Sequence, residues 1–341
     1  MMLKKVKLNE AIGMTLAHDV TKILPGKFKG PGFSRGHIIK EEDIPELLSM
    51  GKEHVYVMEL GEGEVHEEEA ALRIAESISG SEVEFGEPKE GRVNLRAKTL
   101  GVLKINEDLL EKINSLGEIV VSTLHNNTAC KPGVMVAATK IIPLYTEEAK
   151  VVEVEKICHQ EGKVIEILPI GKKKVGVVIT GNEVYYGRIE DKFGEVMQRK
   201  IEALGSIINH KVFVPDDIDI IAQAIDEIDS KGSEVIVVCG GMSIDPDDVT
   251  VDGIKQSGAE VIFYGAPVMP GTMGLYAVRK GIPVLGAPAC VVHDPATIFD
   301  HLLPRVLAGI NITHRDIIRM GHGGLCLKCG KCRFPVCPFG K

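Results

Sequence analysis

The stretch EVIVVCGGMSIDPDDVT, residues 234–250, decides how the second half of this chain is read. Val235 to Cys239 form a wholly apolar run, the pattern of a strand covered on both faces. Gly240-Gly241 stops it, and Asp245, Asp247 and Asp248 crowd the loop beyond. Helix signals resume at Val249. A buried strand, a glycine stop and a helix start are the parts of a βα unit. The same unit recurs on both sides. Strands are expected at VGVVIT (175–180), IINHKVFV (207–214), EVIFYG (260–265) and IPVLGA (282–287). Helices are expected within 190–205, 216–231 (capped by Asp216 or Asp217), 249–258 and 294–309. Strands alternating with helices of this length predict an α/β domain over 171–320, a doubly wound, mostly parallel sheet.

In such a sheet ligands bind beyond the carboxyl ends of the strands. Three loops fall there: Thr180-Gly181-Asn182-Glu183-Val184, Gly240 to Asp248, and Gly286 to Val291. Gly240 and Gly241 would let a ligand approach the backbone closely. Ser243 and the neighbouring amides suit an anion. Asp247 and Asp248 would repel that anion unless Mg²⁺ or the amino group of a heterocycle sat between them. Asp248 could instead cap the helix at Val249, which explains one aspartate and not three.

The first half reads differently. Residues 1–64 are expected to be an α+β segment, with a short helix at 41–50 (Asp43 as cap, Pro45 in the first turn) and a strand at 54–60. Residues 65–170 read as a mixed α/β domain with an amphipathic helix after an acidic loop. The alternation of Val93, Leu95 and Ala97 with Arg92, Asn94, Arg96 and Lys98 predicts one half-exposed strand through GRVNLRAKTLGVLKI (91–105). His125 and Cys130 lie in a polar turn, and His66, His159, His293 and His301 show no metal-ligand spacing.

Composition sets the outer bounds. A chain of 341 residues predicts two or three domains. Its formal charge of −8 argues against a general nucleic-acid partner. No apolar run reaches membrane-spanning length and no signal-type segment opens the sequence, so a cytoplasmic location is expected. Cys130, Cys158, Cys239 and Cys290 read as reduced core thiols. Cys326, Cys329, Cys332 and Cys337 have the spacing C-x2-C-x2-C-x4-C-P, one residue longer than a ferredoxin-type run. Four thiolates so placed suit a [4Fe–4S] cluster or a tetrahedral zinc, with Lys328, Lys331, Arg333 and Lys341 offsetting their charge. The tail, 321–341, is expected as a separate metal-binding piece beyond a flexible hinge at MGHGG (320–324).

Five motifs in order carry a resemblance. These are Thr180 to Val184, Gly187-Arg188-Ile189-Glu190-Asp191, Asp216-Asp217, Gly240 to Asp248, and Met269-Pro270-Gly271. With them, residues 172–310 resemble the molybdopterin-binding (MoaB/Mog-type) domain, which also forms the core of molybdopterin molybdenumtransferase. The sequence departs from that pattern at Asn182, Lys192-Phe193, Thr272 and Cys290. NEAIGMTLAHDV (9–20) and KPGVMVAATKIIPL (131–144) are similar to segments of the two-part transferases. The resemblance implies binding of molybdopterin by Thr180, Gly181, Asn182, Glu183, Gly240, Gly241, Met242, Ser243, Asp248, Pro270 and Gly271. It implies molybdenum cofactor assembly, with Asp248 and Glu183 organising Mg²⁺ and phosphate, Asp217 supporting them, and molybdate displacing AMP. The other reading it leaves open is a non-catalytic carrier or sensor of the cofactor for a molybdenum enzyme. A homodimer is expected by the same resemblance.

Overall fold

The computed structural model describes residues 2–24, 28–59 and 62–341. The chain divides into two compact units. One holds 1–97, 105–123 and 133–166, and the other holds 98–104, 124–132 and 167–341. Three short segments of the stretch read as 65–170, namely 98–104, 124–132 and 167–170, thus belong with the second unit.

In the first unit, Met2–Lys7 pairs antiparallel with His54–Glu59. Val6, Leu8, Leu16, Ile39, Leu47, Val55 and Val57 fill a small core beside that pair. The helix expected at 41–50 is a 3₁₀ turn running into Ile44–Ser49. Leu60, the end of the expected strand, lies outside the described residues. A four-stranded antiparallel sheet follows, in the order Val83–Phe85, Arg92–Ala97, Met135–Ile141, Ile119–Thr123. The helix Glu67–Ile78 buries Ala70, Ala71, Ile74, Ala75 and Ile78. The Thr139 hydroxyl donates to Ala71 O at 3.1 Å and fastens that helix to the sheet.

The single strand expected over 91–105 is two. Arg92–Ala97 ends in the sheet just described, and Gly101–Ile105 joins a different, three-stranded sheet. Gly101 explains the break: a Cβ there would stand 2.6 Å from Leu168 O, so this point of the backbone packs where only glycine fits.

The second unit is built on a six-stranded sheet. Its order is Ile207–Val214, Lys174–Thr180, Val235–Cys239, Ile282–Ala287, Leu275–Arg279, Glu260–Tyr264. The first four strands are parallel, and Leu275–Arg279 runs antiparallel to both neighbours. Side-chain alternation splits the core in two. Val175, Val177, Ile179, Val235, Val237 and Cys239 face one layer, which includes Phe299, Leu302 and Leu303. Val178, Ile236 and Val238 face the other, with Ile221, Ile225 and Ile228 of the helix Ile218–Ser230. The two central runs, Val175–Ile179 and Val235–Cys239, carry no charged side chain because both faces there are covered.

The antiparallel strand was not expected from sequence. It ends in Arg279, which is 2% exposed. Its Nε donates to Ser257 O at 2.7 Å, and its two terminal nitrogens bond Asp229 and Asp226.

The tail does not hang from a hinge. Met269 N–H donates to Gly324 O (2.7 Å) and Cys326 N–H donates to Met269 O (2.8 Å), a parallel bridge onto the segment before Pro270. Phe334 and Phe339 flank the buried His301 ring at 4.9 and 5.1 Å between centroids. No helix of the described residues is long and apolar enough to cross a membrane.

Candidate functional site

Strand direction places the candidate residues together. Four parallel strands end at Thr180, Val214, Cys239 and Ala287 on one edge of the sheet. Two antiparallel steps return Glu260–Tyr264 to the same sense, so the loop after Tyr264 leaves from that edge too. Five connections therefore share one rim: 181–192, 215–217, 240–249, 265–274 and 288–297.

Thr180 is the pivot of the rim. Its hydroxyl donates to Cys239 O at 3.2 Å and lies 2.9 Å from the Thr250 hydroxyl. Both glycines of the quoted stretch pack against this pair. Gly240 (φ +95°) would place a Cβ 2.5 Å from Thr180 O, and Gly241 (φ +57°) would place one 2.4 Å from Thr250 Oγ1. Both glycines thus serve the close seating of loop on loop, and a larger residue would strain the fold itself. Gly271 is used in the same way, with a Cβ position 2.6 Å from the backbone N of Ile298. Met242 is 4% exposed, with Sδ at 2.5 Å from the Cβ position of Gly286, so its side chain faces the core and not a ligand.

The carboxylates sort into caps and free groups. Asp217 accepts from Ile220 N–H at 3.0 Å and caps the helix Ile218–Ser230. Asp216 Oδ2 accepts from Asn182 N–H at 2.8 Å, while Asn182 Oδ1 accepts from Asp216 N–H at 3.4 Å. This reciprocal pair ties two loops of the rim and gives Asn182 a use that an aspartate could serve only against charge repulsion. Asp216 Oδ1 is buried with no hydrogen-bond partner. Burial first, then the charges of Glu183, Asp248 and Asp247, push the Asp216 carboxyl up from its ordinary value. Those four carboxylates therefore share one electrostatic neighbourhood. Asp248 does not cap the helix Thr250–Gln256; it accepts from Ser243 N–H at 2.8 Å and closes its own loop. Asp191 accepts from Phe193 and Gly194 N–H and starts the helix Phe193–Glu202. Pro270 sits half-buried beside the bridge to the tail.

Among the described residues no three His, Cys, Asp or Glu side chains stand close enough to hold a metal ion. For Mg²⁺ this donor set still suits, because that ion takes one or two carboxylates and fills its sphere with water and substrate phosphate. For the tail it does not suit: a thiolate centre needs four sulfurs around one point. Cys326 and Cys337 pack half-buried against the core, whereas Cys329 and Cys332 are exposed. The expected tail centre is corrected to this extent, that the fold keeps its four ligands apart. Cys290 lies in the loop after Ala287; burial, then Asp294 and Asp300, raise its pKa, and Lys328 of the tail opposes them.

Residues 176–316 match the family described as a probable molybdopterin binding domain, and residues 5–59 match a domain of unknown function, DUF8806. A molybdopterin adenylyltransferase of Pyrococcus furiosus is 33% identical over 82 residues, 24% of this chain and 48% of that protein. A CinA-like protein of Desulfosudis oleivorans is 33% identical over 131 residues, 36% of this chain and 31% of that one. The chain thus spans less than half the length of these curated relatives. Among solved structures, the tungsten cofactor synthesizing protein MoaB from Pyrococcus furiosus aligns with 40% of this chain and 91% of its own at 20% identity and a TM-score of 0.31. A molybdopterin biosynthesis MoeA protein from Pyrococcus horikosii aligns with 90% of this chain and 75% of its own, at 16% identity and a TM-score of 0.34.

Proposed function

We propose that the domain over 176–316 binds molybdopterin at the strand-end rim, and that the chain acts in molybdenum cofactor biosynthesis. The observation that carries the reading is the gathering of Glu183, Asp216, Asp247 and Asp248 at that edge, one carboxylate oxygen of Asp216 being buried without a partner. Uncompensated negative charge around a buried acceptor is costly unless a cation or a donor-rich ligand completes it. Glu183 and Asp248 would hold Mg²⁺ with water and ligand phosphate, and Asp216, in the place first given to Asp217, would support them. The ion would supply charge neutralisation for a phosphorylated or adenylylated ligand. Thr180, the Gly240-Gly241 turn and the Asn182–Asp216 tie keep the rim in shape before the ligand arrives, which limits the ordering cost of binding.

As an enzyme the protein would release AMP from adenylylated molybdopterin as molybdate enters. A carrier would bind the pterin and release none. The test is AMP release by the purified chain with Mg²⁺ and molybdate, beside a direct measurement of bound pterin. AMP release slowed about 100-fold by Asp248→Asn, with pterin affinity retained, supports the enzyme. Pterin bound without AMP release supports the carrier, and no pterin bound in either assay overturns both.

A further inference from the structure

We propose that the first unit carries a second small-molecule site, in which Glu67 accepts a planar pair of N–H donors such as a guanidino group or the amino-pyrimidinone edge of a fused heterocycle. It rests on observations separate from those at the strand-end rim. A cleft of about 370 Å³ opens beside Arg35, Glu67, Glu68, Glu90 and Lys140, a volume suited to a small organic ligand.

Of its other charged groups, Asp19, Arg35, Glu68 and Lys140 are already engaged. Asp19 accepts from Arg35 N–H at 2.7 Å. Glu68 accepts from the Arg35 guanidinium at 2.7 Å and from Glu90 N–H at 3.3 Å. Lys140 donates to Glu90 O.

Glu67 is the exception. It is 7% exposed, it lines the cleft, and no donor reaches its carboxylate within hydrogen-bond distance among the described residues. The nearest cation, Lys140 Nζ, is 3.9 Å away. The fold holds it at the cleft. It is the first residue of its helix, its N–H is tied to Leu144 O at 2.9 Å, and Gly91 (φ +68°) closes over it. A Cβ at Gly91 would stand 2.6 Å from Glu67 Oε2.

With its nearest cation beyond hydrogen-bond distance, the carboxylate offers both oxygens to a donor that enters the cleft. The charge of the cleft selects it. Asp19, Glu67, Glu68 and Glu90 outnumber Arg35 and Lys140, so an anion is disfavoured. A planar double donor matches both oxygens of a carboxylate at once. A metal ion is a poorer match, since no three ligating groups converge here.

The test is calorimetric titration of the full chain with methylguanidinium and, separately, with pterin. Binding of either probe, weakened about tenfold or more by Glu67→Gln, supports the site. Which probe binds identifies the donor group. Melting of Glu67→Gln at or above the wild-type temperature shows that the variant folds. If that variant does not fold, exchange of amides 66–68 and 90–91 in the wild type decides: protection by saturating probe supports the site, and none overturns it. Binding of the probes unchanged in folded Glu67→Gln, or no binding of either probe at about 10 mM, also overturns it.

Discussion

Replacing Gly241 with alanine separates the two roles open to that glycine. In the structure its φ of +57° is left-handed, which costs a residue with a Cβ about 1 kcal/mol. The new methyl would stand 2.4 Å from Thr250 Oγ1 and 3.1 Å from Thr180 Oγ1, inside van der Waals contact. Relieving that overlap in a packed site costs about 1–3 kcal/mol. The sum, about 2–4 kcal/mol, corresponds to a fall of roughly 5–15 °C in melting temperature for a unit of this size. Scanning calorimetry or urea denaturation reads it directly, with no ligand present. The contact is then isolated by adding Thr250→Ala. The double variant removes the hydroxyl that the methyl strikes, so the two changes should cost less together than their sum, by at least about 1 kcal/mol. A melting temperature unchanged within about 1 °C, or strict additivity, would refute the reasoning. It would return Gly241 to the role read from sequence, a backbone opened for a ligand.

Asp216→Asn should raise stability at neutral pH. Burial and the nearby carboxylates hold the folded pKa above the ordinary 3.8, so the folded state keeps its proton to higher pH than the unfolded chain. The ionised group therefore destabilises the fold above that window, and the variant's advantage should fade as pH falls through it; denaturation between pH 4 and 7 measures this. Arg279→Lys should lower the melting temperature by several degrees, since an ammonium cannot serve Ser257, Asp226 and Asp229 together. Protein prepared without oxygen should contain near-stoichiometric iron or zinc if the tail cysteines rearrange around a metal. Elemental analysis that finds neither, or metal retained in Cys329→Ser, ends that expectation.

The parallel part of the second unit was legible because burial on both faces leaves an unbroken apolar signature. Val175–Ile179 and Val235–Cys239 carry no polar residue to misplace a boundary. The sequence hid Leu275–Arg279, because an arginine reads as surface unless its three partners are known. It also hid the break after Ala97, where the alternation runs on while the chain changes sheets. The rim was legible by loop and not by residue. Asp216 and Asp217 are indistinguishable in a sequence; only the extended backbone of Asp217, at φ −139°, makes it the cap and leaves Asp216 to the site. Glu67 gave no signal at all, since an acidic residue in the first turn of a helix is ordinary.

The tail shows how a strong motif and a fold can disagree. Its spacing predicts convergence of four sulfurs, yet the chain around them is committed elsewhere. Cys326 N–H is bonded to Met269 O, Lys328 N–H reaches Cys326 Sγ at 3.5 Å, and Lys328 Nζ pairs with Asp294 at 3.0 Å. Cys337 and Phe339 anchor the far end against the core and the His301 ring. Bringing the exposed Cys329 and Cys332 to the two packed cysteines means re-routing the loop between these anchors. The near anchor leads into Pro270-Gly271 and the far one into the helix Ile298–Leu307, whose first residue is in close contact with Gly271. Both anchors thus border the rim, which joins the course of the tail to that of the 269–274 loop.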